Sequence, residues 1–454
     1  MAQYNINPYG QEQEMPAGYP IANNLVTDNP RMALSAPMGK KLALMSRRNT
    51  LFVVAADAPD EDKLVADYQC TGDHDELVIQ SAVNEVFARK GGTILLSRGT
   101  FYIDSFPNYE SADDGGSYTA ILIPSDDNIG YKIGIIGEQP YVGKSGTIIR
   151  VSNTCYEGLN QNKRYKIFRT RWSSSLISKA KVALKIGSLD IRLPYNQKPI
   201  MCIDLRSCNR VWLENIMCVA FTEGYGGYSS AGGNPPAVAV EGCVGIRMTS
   251  GSNSGLWNNY YSSACVGFYE GWQVGGEHVI GINLGGHFNV YTYTFGNYPW
   301  TEAFHHPITL INCSDERSVN MPLFAYCGAN KNNGEGGQEI TLIDFNFERY
   351  APQTPGGVLG ESAMEIKPGT FHGEITYTTQ RAGSNVGDIP FWKNGHGTRF
   401  ITRNSAHRRA CDTTTRNSYA PNYLQRIWDT TLNKEVICTN TATKEWRDTA
   451  GNIV

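Results

Sequence analysis

One stretch limits the folds open to this chain more than any other: residues 67–104, DYQCTGDHDELVIQSAVNEVFARKGGTILLSRGTFYID. It falls into three parts. Residues 67–75 are polar and turn-prone, with a local break at Thr71-Gly72-Asp73. Residues 76–88 carry Leu77, Val78, Ala82, Val83, Val86 and Phe87 at close to helical spacing, with Asp73 or Asp75 as N-cap and Lys90-Gly91-Gly92 as stop. Residues 93–96 (TILL) and 100–103 (TFYI) then read as two short strands either side of Ser97-Arg98-Gly99. An amphipathic helix in this position predicts a lid over the open end of a stack of strands. It hides an edge that would otherwise recruit other chains.

Strand-like bursts recur from Ile121 onward, among them KIGIIG, TIIRV, VALKIGSLDIRL, RVWLENIMCVAF, ITLINC and EITLIDFNF. They are rich in Ile and Val, as expected of parallel strands that stack with one face inward. No repeat of fixed length is visible, which suits coils bounded by loops of variable length. A jelly roll would also give many short strands. The residue 67–104 entry favours the stack. At 454 residues the chain is long for one domain, but an elongated solenoid grows without a larger spherical core.

The order acidic turn, helix, Gly91-Gly92-Thr93 and Arg98-Gly99-Thr100-Phe101 resembles the entry to right-handed parallel β-helix proteins of the pectate-lyase-like group. That resemblance implies an all-β fold, a right-handed single-stranded parallel β-helix with an N-terminal capping helix. Lyases, hydrolases, epimerases and phage tailspikes share it, so it does not select a reaction. Near the C-terminus, Trp428-Asp429-Thr430-Thr431-Leu432-Asn433-Lys434 leads to Lys444-Glu445-Trp446 and a closing Gly451. This is similar to the small C-terminal β module of phage and prophage tail proteins, a class in which homotrimers are usual. The expected organisation is an arm over 1–48 for attachment to a larger particle, a β-helix over 49–375, a linker or irregular region over 376–421, and a C-terminal β-hairpin module over 422–454.

Composition narrows the partners. A net charge of −3 gives no support to nucleic-acid binding through bulk electrostatics. The 11 cysteines are scattered without any CxxC pair, which argues against zinc or redox chemistry and for buried free thiols. The opening MAQYNINPYGQEQEMPAGYP lacks a basic segment followed by an apolar one, so no secretory signal is expected, and no apolar run approaches a membrane span. Together with the resemblance, this predicts a virion tail protein, extracellular after lysis. It would dock on phage tail or baseplate proteins through its N-terminal arm and bind a bacterial surface polysaccharide.

Functional side chains on such a face must project outward between inward-pointing neighbours. In residues 343–348, Asp344, Asn346 and Glu348 share one parity, and Ile343, Phe345 and Phe347 the other. At roughly 3.3 Å per residue, Asp344 and Glu348 would stand about 13 Å apart on one strand, too far for a glycosidase pair, so each needs a partner on a neighbouring coil. Glu277 and His278 supply an acid and a base that titrates near neutral pH. Trp257, Tyr260, Tyr261, Trp272, His287 and Trp300 are dense nearby and suit stacking on sugar rings. The same patterns also fit a solvated outer face and ordinary stacking inside the coils. Asp190, Asp204 and Glu214 form a second carboxylate set, and Asn215 suits an inward asparagine ladder. Lys163, Arg164, Lys166, Arg169 and Arg171 form a basic cluster that would attract an anionic glycan. The calcium-binding aspartates and catalytic arginine of pectate lyases are not legible, so no metal and no cofactor is expected. The candidate catalytic residues are therefore Glu277, His278, Asp344 and Glu348. The resulting expectation is a polysaccharide depolymerase, either glycoside hydrolase or lyase. A non-enzymatic glycan-binding adhesin or structural tail protein, and a secreted bacterial polysaccharide lyase, are the alternatives.

Overall fold

The computed structural model describes residues 49–111, 116–124, 132–138, 146–171, 182–205, 208–221, 238–248, 258–275, 278–295, 308–316, 318, 426–440 and 442–454, with isolated strands and one helix elsewhere. Of the glycine- and proline-rich breaks that the sequence shows at 222–243 and 350–361, residues 222–237 and all of 350–361 lie outside the described residues.

The chain is mostly β, with two long parallel sheets. The larger sheet holds two columns of strands. Thr50–Val54, Gly92–Leu96, Lys132–Ile136, Asn258–Tyr261, Val279–Ile282, Ile308–Ile311 and Gln338–Ile343 belong to the first. Gly99–Ile103, Thr147–Val151, Ala264–Val266, Gly285–His287, Ser314–Glu316 and Asn346–Glu348 belong to the second. The long strands Val182–Arg192 and Cys208–Val219 contribute to both. A second sheet includes Ser117–Ile123, Arg164–Thr170, Ile200–Asp204, Val244–Arg247, Glu270–Val274 and Tyr291–Phe295. The chain visits the first column, the second column and this second sheet in turn, then returns to the first column one rung further on.

A single left-handed residue makes the corner between the two columns. Ser188, Asn215, Ser262, Asn283 and Asn312 all have φ between 45° and 57°. Small polar residues tolerate this conformation. The corners are laddered: Ser262 N donates to Ile282 O (3.0 Å), Asn283 N to Ile311 O (3.0 Å) and Asn312 N to Ile343 O (2.8 Å). Asn283 and Asn312 are exposed and Asn215 is half-buried, so the asparagines turn corners instead of forming the inward ladder expected for Asn215.

The lid is the helix Asp75–Ala88, with His74 rather than an aspartate at its N-cap. Asp75 and Glu76 are buried at its first turn. Asp75 accepts the N–H of Gly72 and of Tyr102, and Glu76 accepts that of Asp104, so the acidic turn ties the helix to the second column. Gln80 acts as a surrogate peptide against the second sheet. Its Nε2 donates to Leu122 O (2.9 Å) and its Oε1 accepts from Leu122 N (2.7 Å). The edge of the stack is thereby satisfied, as the sequence predicts.

One hydrophobic core runs from Leu51 to Leu342 and includes Cys202, Cys218, Cys243 and Cys265. The described cysteines are free and all but Cys155 are buried. Burial pushes the Cys243 and Cys313 thiols up to about 12, so they remain protonated packing groups.

Three observations bear on the expected divisions of the chain. Parallel pairing continues past residue 375, through Gly373–Tyr377 and Thr398–Thr402, into the span expected to be a linker. Short paired strands occur in the 1–48 arm, Tyr4–Ile6 with Glu12–Glu14 and Ile21–Ala22 with Ala33–Leu34. The C-terminal sheet has four strands, Ala410–Cys411, Arg426–Asp429, Lys434–Asn440 and Glu445–Asp448, so it is more than a hairpin. Asp429 organises its turn by accepting the N–H groups of Thr431 (2.9 Å) and Leu432 (3.0 Å) and pairing with buried Arg416 (2.9 Å).

Candidate functional site

The outer face of the larger sheet is where side chains meet solvent. On the second column, parallel register aligns Val266, His287, Glu316 and Glu348 on consecutive rungs. His287 Nε2 lies 4.0 Å from Glu316 Oε2, with His287 half-buried and Glu316 exposed. The His287 ring stacks on Phe288, centroid to centroid 3.9 Å. Beneath this row Asp315 is fully buried and accepts hydrogen bonds from Thr292 and Ser318. Gly286 is obligatory here, because a Cβ at that position would overlap the Thr292 side chain. Gly286 thus packs the inside of the rung that presents His287 outside.

On the first column, Lys185, Trp212 and Asn259 are register partners, as are Gly187, Glu214 and Tyr261. Trp212 is 41% exposed. Its indole N–H donates to Glu214 Oε2 (2.7 Å), whose other oxygen pairs with Lys185 Nζ (2.7 Å). Tyr261 packs against the indole at 5.0 Å between centroids and donates its hydroxyl to Asn259 Oδ1 (3.2 Å). The hydrogen bonds from Lys185 and then Trp212 hold the Glu214 carboxyl below the usual range, so it is ionised at neutral pH. Further along the same face, Ile280 is 39% exposed and Ile282 and Ile311 are half-buried.

Family models and curated proteins offer no match to this chain. Among the solved structures similar to it are the following three. The tailspike protein 3 of bacteriophage CBA120 is 11% identical, with 83% of this chain and 67% of that one covered and a TM-score of 0.23. ORF18 of Geobacillus virus E2 is 10% identical over 99% of this chain and 92% of that one, TM-score 0.37. The A-module of the Azotobacter vinelandii mannuronan C-5 epimerase AlgE6 is 11% identical over 72% and 96%, TM-score 0.21.

The sequence-derived candidates divide. His287 and Tyr261 lie on the outer face just described, and Glu348 shares the register position of Glu316. His278 is exposed at a left-handed turn before Val279–Ile282. Trp257, Glu277, Trp300 and Asp344 lie outside the described residues. Tyr260 and Trp272 are fully buried and therefore not groove residues. Trp272 fills the core between Ile246 and Tyr293 and donates its indole N–H to Gly285 O (2.9 Å). The single strand assumed for 343–348 is two, Gln338–Ile343 and Asn346–Glu348, so Leu342 is buried while Ile343 is only half-buried.

The basic cluster divides, with Lys163 and Arg171 exposed and two of its members buried. Lys166 and Arg169 are buried in the second sheet, Lys166 paired with Asp204 (2.8 Å) and Arg169 with Glu110 (2.6 Å). Asp204 also faces Arg247 (3.5 Å), which makes it a structural counter-ion. Asp190 pairs with Arg192 (2.5 Å). A cavity of about 460 Å³ lies by the lid, lined by Asp73, His74, Asp104, Cys155 and Tyr165 among others. Among the described residues, no cluster of three His, Cys, Asp or Glu side chains is arranged to hold a metal ion, and no helix is long and apolar enough to cross a membrane.

Sequence reasoning missed Glu316, Trp212 and Lys185. The signal for Glu316 was present: ITLINCSDE (308–316) and ITLIDFNFE (340–348) are two copies of one rung, and their register is residue for residue.

Proposed function

We propose that this chain is a phage-type tailspike, a right-handed parallel β-helix that binds a bacterial surface polysaccharide along its outer face and cleaves its glycosidic bonds. The observation that carries the reading is the in-register row His287, Glu316 and Glu348. Adjacent parallel strands lie about 4.8 Å apart. Retaining glycosidases need carboxylates about 5 Å apart and inverting ones about 6.5 to 9.5 Å. The register places Glu316 and Glu348 on neighbouring rungs, a backbone spacing of the order these mechanisms need. One carboxyl protonates the leaving oxygen, and the other acts as base or nucleophile. His287 stands beside Glu316, its Nε2 4.0 Å from Oε2, as a third polar group of the row. Glu277, His278 and Asp344 remain proposed contributors to the same chemistry.

In this reading the 1–48 arm attaches to tail or baseplate proteins and the C-terminal sheet supports a homotrimer. The test is incubation of the purified protein with polysaccharide from candidate hosts, followed by sizing of the products. Glu316→Gln and Glu348→Gln are each expected to slow shortening by about 100-fold or more while far-UV circular dichroism stays unchanged. Full activity in both variants removes the pair. Retained binding without shortening by the unmodified protein selects the adhesin alternative.

A further inference from the structure

We infer that Trp212 with Tyr261, Glu214 and Lys185 forms a separate subsite on the first column for an uncharged pyranose ring. The inference rests on the proposed function only for the ligand class, carbohydrate. Its evidence is independent of the His287–Glu316–Glu348 row.

A tryptophan at 41% exposure on a β surface needs a reason to be held in one place. Here three contacts fix it. Its N–H is spent on Glu214, its flank rests on Tyr261, and Lys185 Nζ stands 5.8 Å from the ring centroid. A clamped indole pays little conformational entropy on binding, which makes it a preorganised platform. Gly187 leaves room for the Glu214 side chain: a Cβ there would come within 3.2 Å of Glu214 Cγ. The indole presents an apolar face to sugar C–H groups. At its edge Glu214 is an acceptor, and Lys185, whose Nζ lies over the ring, is a donor.

The charge decides the class. Glu214 and Lys185 neutralise each other at 2.7 Å, so a uronate or phosphate at this spot would have to break that pair. A neutral ring need not. From the Trp212 rung to the Glu316 rung is three strand steps, roughly 14 Å along the stack. An extended oligosaccharide can therefore occupy both places at once, with this subsite holding the chain and not reacting with it.

The experiment uses the full chain on an array of bacterial surface polysaccharides and their oligosaccharides, sorted as neutral, uronate-bearing and N-acetylamino. The unmodified protein is expected to retain neutral-pyranose members with little change from low to high salt. Trp212→Ala should weaken retention about tenfold or more, Trp212→Phe should fall between, and Lys185→Met should weaken it with the same ranking of glycans. Thermal melts of each variant establish that the fold is intact. Equal retention by Trp212→Ala and the unmodified protein overturns the subsite while leaving the tailspike reading standing. Dependence on Trp212 confined to uronate-bearing members overturns the neutral-ring assignment. No retention of any glycan by the unmodified protein overturns both.

Discussion

The two parallel sheets handle polar residues in opposite ways. In the larger sheet the outer face is open, and its ionisable groups meet one another in solvent: Lys185 with Glu214, His287 with Glu316. In the second sheet Ile200–Asp204, Val244–Arg247 and Glu270–Val274 are buried along their whole length, on both faces. There Lys166, Asp204, Arg247 and Gln273 form a dry ladder across successive strands, joined at 2.8, 3.5 and 2.6 Å. The same residue types thus serve contact with the medium on one sheet and cohesion on the other. Charge in the sequence identifies neither role. Burial and register do.

Substitutions can break or sharpen this contrast. The largest effects belong to the buried side. Asp204→Ala leaves Lys166 and Arg247 without their shared counter-ion and should destabilise by about 3–5 kcal/mol, read by urea denaturation. Trp272→Ala empties a core position and should cost about the same, about 3–5 kcal/mol. A melt within a degree of the parent for either variant would contradict the assignment of the second sheet as dry. On the open side the expectation reverses: Glu316→Gln should change stability by under about 0.5 kcal/mol while slowing the proposed cleavage about 100-fold. The smallest effect is the pH response of Glu214. Its folded pKa lies below 4.5, so its contribution to holding Trp212 is fully present above 4.5 and is lost as pH falls through the depressed value. Tryptophan emission should change in that acid window in the parent and not in Glu214→Gln.

Much of the architecture was legible because local signals agree. The lid helix, its stop at Lys90-Gly91 and the two strands that follow are set by spacing and by left-handed turns that neighbours do not override. The site was legible only in pieces. Tyr260 and Trp272 misled because aromatic density marks a core as readily as a groove, and the strand of Trp272, buried along its whole length, has no polar alternation to orient it. Lys166 and Arg169 looked like a solvated patch because Asp204 and Glu110, their counter-ions, come from other strands. Register, which decides who meets whom, depends on the intervening loop lengths. Partners are offset by 21 residues from Asn258 to Val279 and by 32 from Ile308 to Ile340. Glu316 and Glu348 become a pair only once that second offset is known.

The one-residue corner has a consequence for how such a surface changes over time. From Ser188 to Asn312 the crossing between columns keeps the same length, so excursions of any size fall elsewhere on the circuit. An insertion in those excursions leaves the transverse distance between a first-column and a second-column side chain untouched. New ligand preferences can then arise by exchanging single letters on a fixed grid, without rethreading the polypeptide.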